Sequence, residues 1–312
     1  MPTGLIQLIH EEKHQAPAGH PENAERLKKA LEYVISSDIG HNLVTVAPGG
    51  ADSSAIYEVH SQKYLNHLRM AAERGDQYLD EDTYLTTGSF AAAWETALAA
   101  VAAVDLIFSN RYKRLLLAAR PPGHHAEYDR GMGFCMINNT AVAAEQACLK
   151  YGIKRVAVID WDVHHGNGTQ NIFYNRSDVF YISLHRFPFY PGSGKMNERG
   201  VSEGQGYTLN IPLPAGANDE VYLAAFDKIV VPAMEDYQPE FIVITAGFDA
   251  HRHDPLGGMN LTEYIFGIIT QRLLKIANKY ADGRVLSILE GGYNPLANAL
   301  SLYCHLKELQ EN

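Results

Sequence analysis

The 312-residue chain predicts an α/β fold built on a parallel sheet with helices on both faces. Three observations predict it. Strand-length apolar runs alternate with segments of helical period along the whole chain. The runs at residues 115–119, 155–160, 179–185, 241–246 and 284–290 are apolar without alternation, as strands buried on both faces require. Chemically reactive residues follow several of these runs, at the strand ends beyond which open α/β sheets bind their ligands.

Taken in order, residues 5–10 form the first strand. Residues 21–36 read as a helix, because Leu27, Leu31, Val34 and Ile35 fall on one face at helical spacing. Helices are expected at 61–74 and 89–108. The second is Ala-rich and carries Glu95 and Asp105, so it reads as a buried helix and not a membrane span. The strand at 115–119 leads to a helix at 139–151, then to the strands at 155–160 and 179–185. Helices at 220–237, 262–280 and 294–309 follow and flank the strands at 241–246 and 284–290. No linker or internal repeat interrupts the pattern, so residues 1–312 are expected to form one catalytic domain.

Hydrophobic residues make up 46% of the chain and charged residues 20%, enough for a sizeable core. The formal net charge of −10 argues against non-specific binding to nucleic acid or to an anionic membrane and is compatible with a cationic substrate. Cys135, Cys148 and Cys304 show no paired spacing, which suits a reducing compartment. The short apolar run at residues 5–9 reads as a strand and not a signal peptide. A cytoplasmic protein is expected.

The chemistry lies in four segments. Pro121-Pro122-Gly123 ends in His124 and His125. Asp160-Trp161-Asp162-Val163-His164-His165-Gly166-Asn167-Gly168 closes the strand at 155–160. Gly247-Phe248-Asp249 and Glu290-Gly291-Gly292-Tyr293 follow the last two strands. Asp162 and His164, two apart in an extended segment, point to the same side and reach one ion. Asp249 supplies a third ligand. Two carboxylates and one imidazole leave coordination positions open, as a catalytic metal site requires. The donor set suits Zn²⁺ first and admits Fe²⁺, Co²⁺ or Mn²⁺. The alternative for Asp162 is a helix cap, since Gly166-Asn167-Gly168 would open a helix at Thr169.

These groups together can hydrolyse an amide. His125 is the candidate general base, and His124 is expected to be held by a buried carboxylate, Asp160 first. Tyr293, flanked by Gly291 and Gly292, would donate its hydroxyl to the developing oxyanion, with an ordinary loop tyrosine as the alternative. Phe134, after Gly131-Met132-Gly133, and Tyr190 are expected to wall a narrow channel for a long aliphatic stem, with core aromatics as the alternative.

On these motifs the chain resembles the histone deacetylase superfamily, with its acetylpolyamine amidohydrolases and bacterial deacetylase-like enzymes. The resemblance runs from about residue 20 to 293. His20-Pro21-Glu22-Asn23-Ala24-Glu25-Arg26 matches the N-terminal motif, with Ala24 where proline is common. The four segments above match as well, as do Gly133-Phe134-Cys135 and Ser183-Leu184-His185-Arg186.

The resemblance implies a single arginase/deacetylase-like α/β domain with a central eight-stranded, mostly parallel sheet and helices on both faces. It implies zinc on Asp162, His164 and Asp249, a His124/His125 dyad and Tyr293 as carbonyl polariser. It also implies a structural K⁺ or Na⁺ near Asp160, Asp162 and His164, largely through main-chain oxygens, together with Ser183 and Leu184. A second such site would involve Phe173, Val179 and Tyr207. Asp82 matches a loop aspartate that holds the substrate backbone in some members. Trp161 and Asn167 resemble class II deacetylases; class I members usually carry aspartate at the latter position, so His125 is expected to be less basic here.

Leu256 stands where the family guards the pocket mouth. Leucine resembles members that take acyl-lysine, whereas an acidic residue suits acetylpolyamines. His251-Arg252-His253 departs from the family, which usually has glycine before Asp-Pro. The expected activity is therefore removal of an acetyl or other acyl group from a lysine-like primary amine. The alternatives are an acetylpolyamine amidohydrolase, an arginase-type Mn²⁺ hydrolase on the same fold, and an inactive acyl-lysine-binding protein.

Overall fold

The computed structural model describes residues 2–47 and 49–310. The strands in chain order are β1 (Thr3–Leu8), β2 (Leu43–Thr45), β3 (Arg114–Ala119), β4 (Val156–Asp160), β5 (Val179–Arg186), β6 (Thr208–Leu213), β7 (Phe241–Ala246) and β8 (Val285–Leu289). They form one sheet in the order β2-β1-β3-β8-β7-β4-β5-β6, with every neighbouring pair parallel. The eight-stranded parallel sheet is the one the resemblance implied.

The helices are α1 (Ala24–Ser36), α2 (Ser54–Val59), α3 (Gln62–Arg74), α4 (Ser89–Phe108), α5 (Asn139–Tyr151), α6 (Asn167–Phe173), α7 (Asp219–Ala225), α8 (Val231–Tyr237), α9 (Glu263–Tyr280) and α10 (Pro295–Gln310). Residues alternate across the sheet as a pleat dictates. In β8, Val285 and Leu289 join the core under α1, α9 and α10, while Leu286 and Ile288 join the core under α4 and α5. Burial on both faces is why β3, β4, β7 and β8 read as unbroken apolar runs. Helix α4 is long and apolar enough to cross a membrane by length and composition, but 61% of it is buried inside the protein. Its alanines let it lie close to β3 and α5.

The structure departs from the sequence reading at the edges. The expected helix at 21–36 starts at Ala24, because the Asn23 side chain accepts the Arg26 amide and caps it there. The expected helix at 61–74 starts one residue later, with Ser61 as its cap. Strands β2 and β6 went unread. β2 has three residues, and β6 contains Pro212, which a sheet tolerates on an edge strand. The expected helix at 220–237 is interrupted by a π-helical turn at Phe226–Val230, immediately before Pro232 removes an amide from the helical ladder.

Because every strand is parallel, all eight carboxyl ends lie on one edge. Four of them lead into the reactive segments: β3 into the loop of His124 and His125, β4 into Asp162 and His164, β7 into Asp249, and β8 into Tyr293.

Candidate active site

Asp162, His164 and Asp249 converge, with one ligand atom from each within 4.8 Å of the others. His164 Nδ1 lies 3.1 Å from both Asp162 Oδ1 and Asp249 Oδ2. Backbone amides aim the carboxylates. Val163 N donates to Asp249 Oδ1 at 2.8 Å, His164 N to Asp162 Oδ1 at 2.9 Å, and Gly291 N to Asp162 Oδ2 at 2.9 Å. A Cβ at Gly291 would stand 2.2 Å from Asp249 Oδ2 and 2.6 Å from Asp162 Oδ2, so only glycine admits this approach. The capping alternative for Asp162 is not realised: α6 begins at Asn167 after Gly166 and has no side-chain cap.

The donor set fits a divalent metal ion: two carboxylates and an imidazole, converging and held by backbone donors. Burial disfavours a charged imidazole at His164, but Asp162 and Asp249 outweigh it and hold its pKa up at about 10. Burial and the neighbouring Asp162 push the Asp249 carboxyl upward. A metal must displace the His164 proton. Affinity is therefore expected to fall about tenfold per unit as pH drops below about 10, and proton release on binding is measurable by calorimetry in buffers of different ionisation enthalpy. Binding that is independent of pH would remove His164 from the ligand set.

His124 and His125 lie with ring centroids 4.0 Å apart, in opposite electrostatic settings. His124 Nδ1 is 3.1 Å from Asp160 Oδ2, which also accepts the Tyr181 hydroxyl at 3.0 Å. Burial opposes the charge on His124, but Asp162 and Asp160 hold its pKa up at about 10. The Gly123 and His124 amides donate to Glu290 Oε2 at 2.7 and 3.3 Å, which fixes the histidine loop on the end of β8.

His125 Nδ1 lies 2.8 Å from Asn167 Oδ1. Burial, then the cationic neighbours His124 and His164, depress His125 well below the ordinary histidine range, and the Asn167 bond works weakly against them. Burial and the cationic neighbours, more than the absence of a carboxylate at position 167, set this depression. At neutral pH His125 is uncharged and able to accept a proton.

Asp82, His125, Gly133, Phe134, His164, Tyr190, Leu256 and Tyr293 line a pocket of about 190 Å³. Its walls are aromatic. Phe134 meets Tyr293 edge-on at 5.9 Å, Tyr190 meets His125 at 5.2 Å, and Phe189, which the sequence reading did not single out, stacks on His164 at 5.2 Å. The core-aromatic alternative for Phe134 and Tyr190 is not what the structure places there. Gly133 and Phe134 are consecutive left-handed residues, with φ of +59° and +68°. A Cβ at Gly133 would lie 2.5 Å from the His125 ring, so the turn needs glycine on both counts. Asp82 Oδ1 accepts Gly133 N at 3.1 Å, and Thr83 Oγ1 accepts Phe134 N at 3.0 Å. Asp82 thus anchors this strained turn at the pocket wall.

Tyr293 is held from three sides. Its amide donates to Asp254 Oδ2 at 2.6 Å, the Arg26 guanidinium stands 5.3 Å from its ring centroid, and Phe134 packs against its edge. Arg26 Nη1 also donates to the carbonyl oxygens of Glu290 and Gly292, at 2.9 and 3.4 Å. Burial, then Asp249, pushes the Tyr293 hydroxyl well above the ordinary tyrosine range, so it stays a donor. Asp254 Oδ1 accepts Leu256 N at 2.8 Å, so one carboxylate sets both the leucine and the tyrosine of the pocket wall. His251 turns into the fold, with its Nε2 3.3 Å from Glu263 and its Nδ1 accepting His253 N.

Of the residues tied to monovalent cations, Asp160 and Ser183 are register partners across β4 and β5, with Leu184 next. Phe173 ends α6, Val179 opens β5, and Tyr207 precedes β6, its carbonyl accepting Tyr181 N at 3.1 Å. Tyr181, Glu290, Asp254 and Arg26 carry weight that sequence reasoning did not assign. Arg26, four residues after Glu22 in the N-terminal motif, and Glu290, which opens the Glu290-Gly291-Gly292-Tyr293 segment, stood in quoted motifs, but their partners were not readable there.

The chain matches the family model of the histone deacetylase domain over residues 20–309. It is 39% identical over 298 residues to a probable deacetylase of Archaeoglobus fulgidus, covering 94% of this chain and 82% of that protein. It is 38% identical over 302 residues to a histone deacetylase-like amidohydrolase of Pseudomonas aeruginosa, covering 95% and 77%. Among solved structures, the crystal structure of the HDA15 HD domain matches with a TM-score of 0.92 at 34% identity, covering 99% of this chain and 90% of that one.

Proposed function

Because the chain belongs to the histone deacetylase family, we propose that it is a zinc-dependent deacylase acting on acetyl-lysine in a protein, peptide or small molecule. One observation carries this reading. A neutral histidine, a protonated tyrosine and the Asp162, His164 and Asp249 cluster meet at a narrow aromatic pocket. A zinc ion on Asp162, His164 and Asp249, with Fe²⁺ as second choice, would supply Lewis-acid polarisation of the amide carbonyl and lower the pKa of water.

The chain's own residues do the rest. His125 takes a proton from the attacking water and returns it to the leaving amine nitrogen, so acetate and a free amine result. His124 stays on Asp160 as a fixed positive charge beside the reacting centre. The Tyr293 hydroxyl donates to the oxyanion as it forms. Phe134 and Tyr190 enclose the aliphatic stem and exclude water. We further assign a structural K⁺ or Na⁺ to main-chain oxygens of Asp160, Asp162 and His164 with Ser183 and Leu184, and a second to Phe173, Val179 and Tyr207. The whole chain works as one catalytic domain, in the cytoplasm.

The polyamine reading keeps one specific support: Asp82 lines the mouth beside Asp80 and would attract a second cationic group. Turnover of the zinc-loaded protein on matched acetyl-lysine peptide and acetylspermidine separates the two. The leucine at position 256 predicts a peptide preference of about tenfold or more in kcat/KM. The reverse preference would make the acidic mouth the governing feature. A stoichiometry of two catalytic metals per chain would instead favour the arginase-type reading.

A further inference from the structure

Glu127 does not line the aromatic pocket. It lies two residues past His125 and borders a second cavity, of about 430 Å³, together with Asn167, Arg130 and Met132. One of its oxygens, Oε1, accepts from Asn167 Nδ2 at 2.7 Å and from Arg130 Nη2 at 3.0 Å. Its backbone is fixed from below. The Glu127 carbonyl bonds to Nδ1 of the buried His60 at 2.8 Å, and Nε2 of the same ring accepts Asn138 N at 2.9 Å.

An asparagine amide has two ends of similar shape and opposite polarity. A carboxylate can only accept, so the end that Asn167 turns toward Glu127 must be its NH₂. Two further acceptors face the same NH₂, the His125 carbonyl and Met132 Sδ, each at 3.4 Å. The Asn167 oxygen is thereby left to face His125 Nδ1, 2.8 Å away. An acceptor at that place requires the proton on Nδ1, and in a neutral ring the lone pair is then on Nε2. Nε2 is the nitrogen left to serve the pocket. Were the amide reversed, its NH₂ would face Nδ1, the ring proton would move to Nε2, and His125 could not accept another there.

We propose that Glu127 is a positioning residue that fixes the orientation of the Asn167 side chain and, through it, the tautomer of His125. This rests on His125 being the general base. Glu127 touches no reacting atom and carries no proton in the reaction. It makes one of two amide orientations the only one with matched polarity.

The test uses the zinc-loaded protein with ¹⁵N-labelled histidine, reading the His125 tautomer by NMR and kcat and KM on an acetyl-lysine peptide. Glu127→Gln keeps an oxygen acceptor in place, so the Nδ1–H tautomer persists and kcat stays within about threefold of the parent. Glu127→Lys replaces the acceptor with a donor. The amide then reverses, His125 shifts to Nε2–H, and kcat falls by about tenfold or more with KM changed less than about twofold. Combining Glu127→Lys with Asn167→Asp restores both readouts, because a carboxylate accepts from the new ammonium and from His125 Nδ1–H alike.

A Glu127→Lys protein that keeps the Nδ1–H tautomer overturns the proposal, as does a double variant that recovers neither readout. Should the parent protein fail to turn over the peptide, the deacylase reading falls, while the tautomer shift still decides the role of Glu127.

Discussion

Tyr293→Phe is expected to lower kcat by about 10²–10³-fold while leaving KM and metal stoichiometry nearly unchanged. The substitution removes one oxygen and keeps the ring, so the Arg26 and Phe134 contacts remain. The bond of the Tyr293 amide to Asp254 also remains, because it belongs to the backbone. What disappears is a donor whose pKa is raised, first by burial and then by Asp249, so it is never lost to ionisation at working pH. A donor aimed at charge that develops during reaction acts on kcat and spares substrate binding. Steady-state kinetics with a parallel metal determination checks this, and a variant with full turnover would take Tyr293 out of the reaction.

The second large effect concerns stability. Glu22→Gln is expected to cost about 3–5 kcal/mol, because it strands buried cations. Glu22 is fully buried. Its Oε1 accepts Arg120 Nε at 2.6 Å and Arg26 Nη2 at 3.2 Å, and its Oε2 accepts Arg120 Nη2 at 2.8 Å and the Tyr84 hydroxyl at 3.0 Å. Burial alone would raise the Glu22 carboxyl, but Arg120, His14 and Arg26 outweigh it and hold it well below the ordinary carboxylate range. With the folded pKa depressed, this stability is fully present above the unfolded value near ~4.3 and is lost as pH falls toward the folded one. The same Arg26 holds the carbonyls of Glu290 and Gly292, so kcat should fall along with stability. Urea unfolding gives the first readout, and an unchanged midpoint would show that the cluster contributes nothing net.

Tyr293 was legible in the sequence because it follows an apolar strand run and sits beside two glycines. Its counterparts at Asp162, His164, Asp249, His124 and His125 were legible for the same reason. A parallel sheet delivers every such strand end to one edge, so placing the strands placed the residues. The edge strands β2 and β6 were not legible, because β2 is three residues long with none of them buried, and β6 lies half-covered and carries Pro212, so neither shows a continuous apolar run. Nor were the couplings. Tyr181 meets Asp160 across 21 residues of sequence and Arg26 meets Glu290 across 264, and no local pattern encodes a partner at such distance. Glu22 was matched as part of a motif, yet only its buried partners explain why a carboxylate stands there.

The sheet order carries a consequence for how the centre is held together. Among the described residues β3 pairs with β1 and β8, and β7 with β4 and β8, so β8 is the seam between two halves of the sheet. The half made of β1, β2 and β3 carries His124 and His125. The half made of β4, β5, β6 and β7 carries Asp162, His164 and Asp249. Without residues 285–289 in place, no strand of this sheet joins the piece that carries the proton-handling groups to the piece that carries the metal-binding groups. A chain can own every ligand and both histidines and still lack the sheet continuity that brings them to one edge, so β8 is a structural requirement of the centre although it supplies none of those groups.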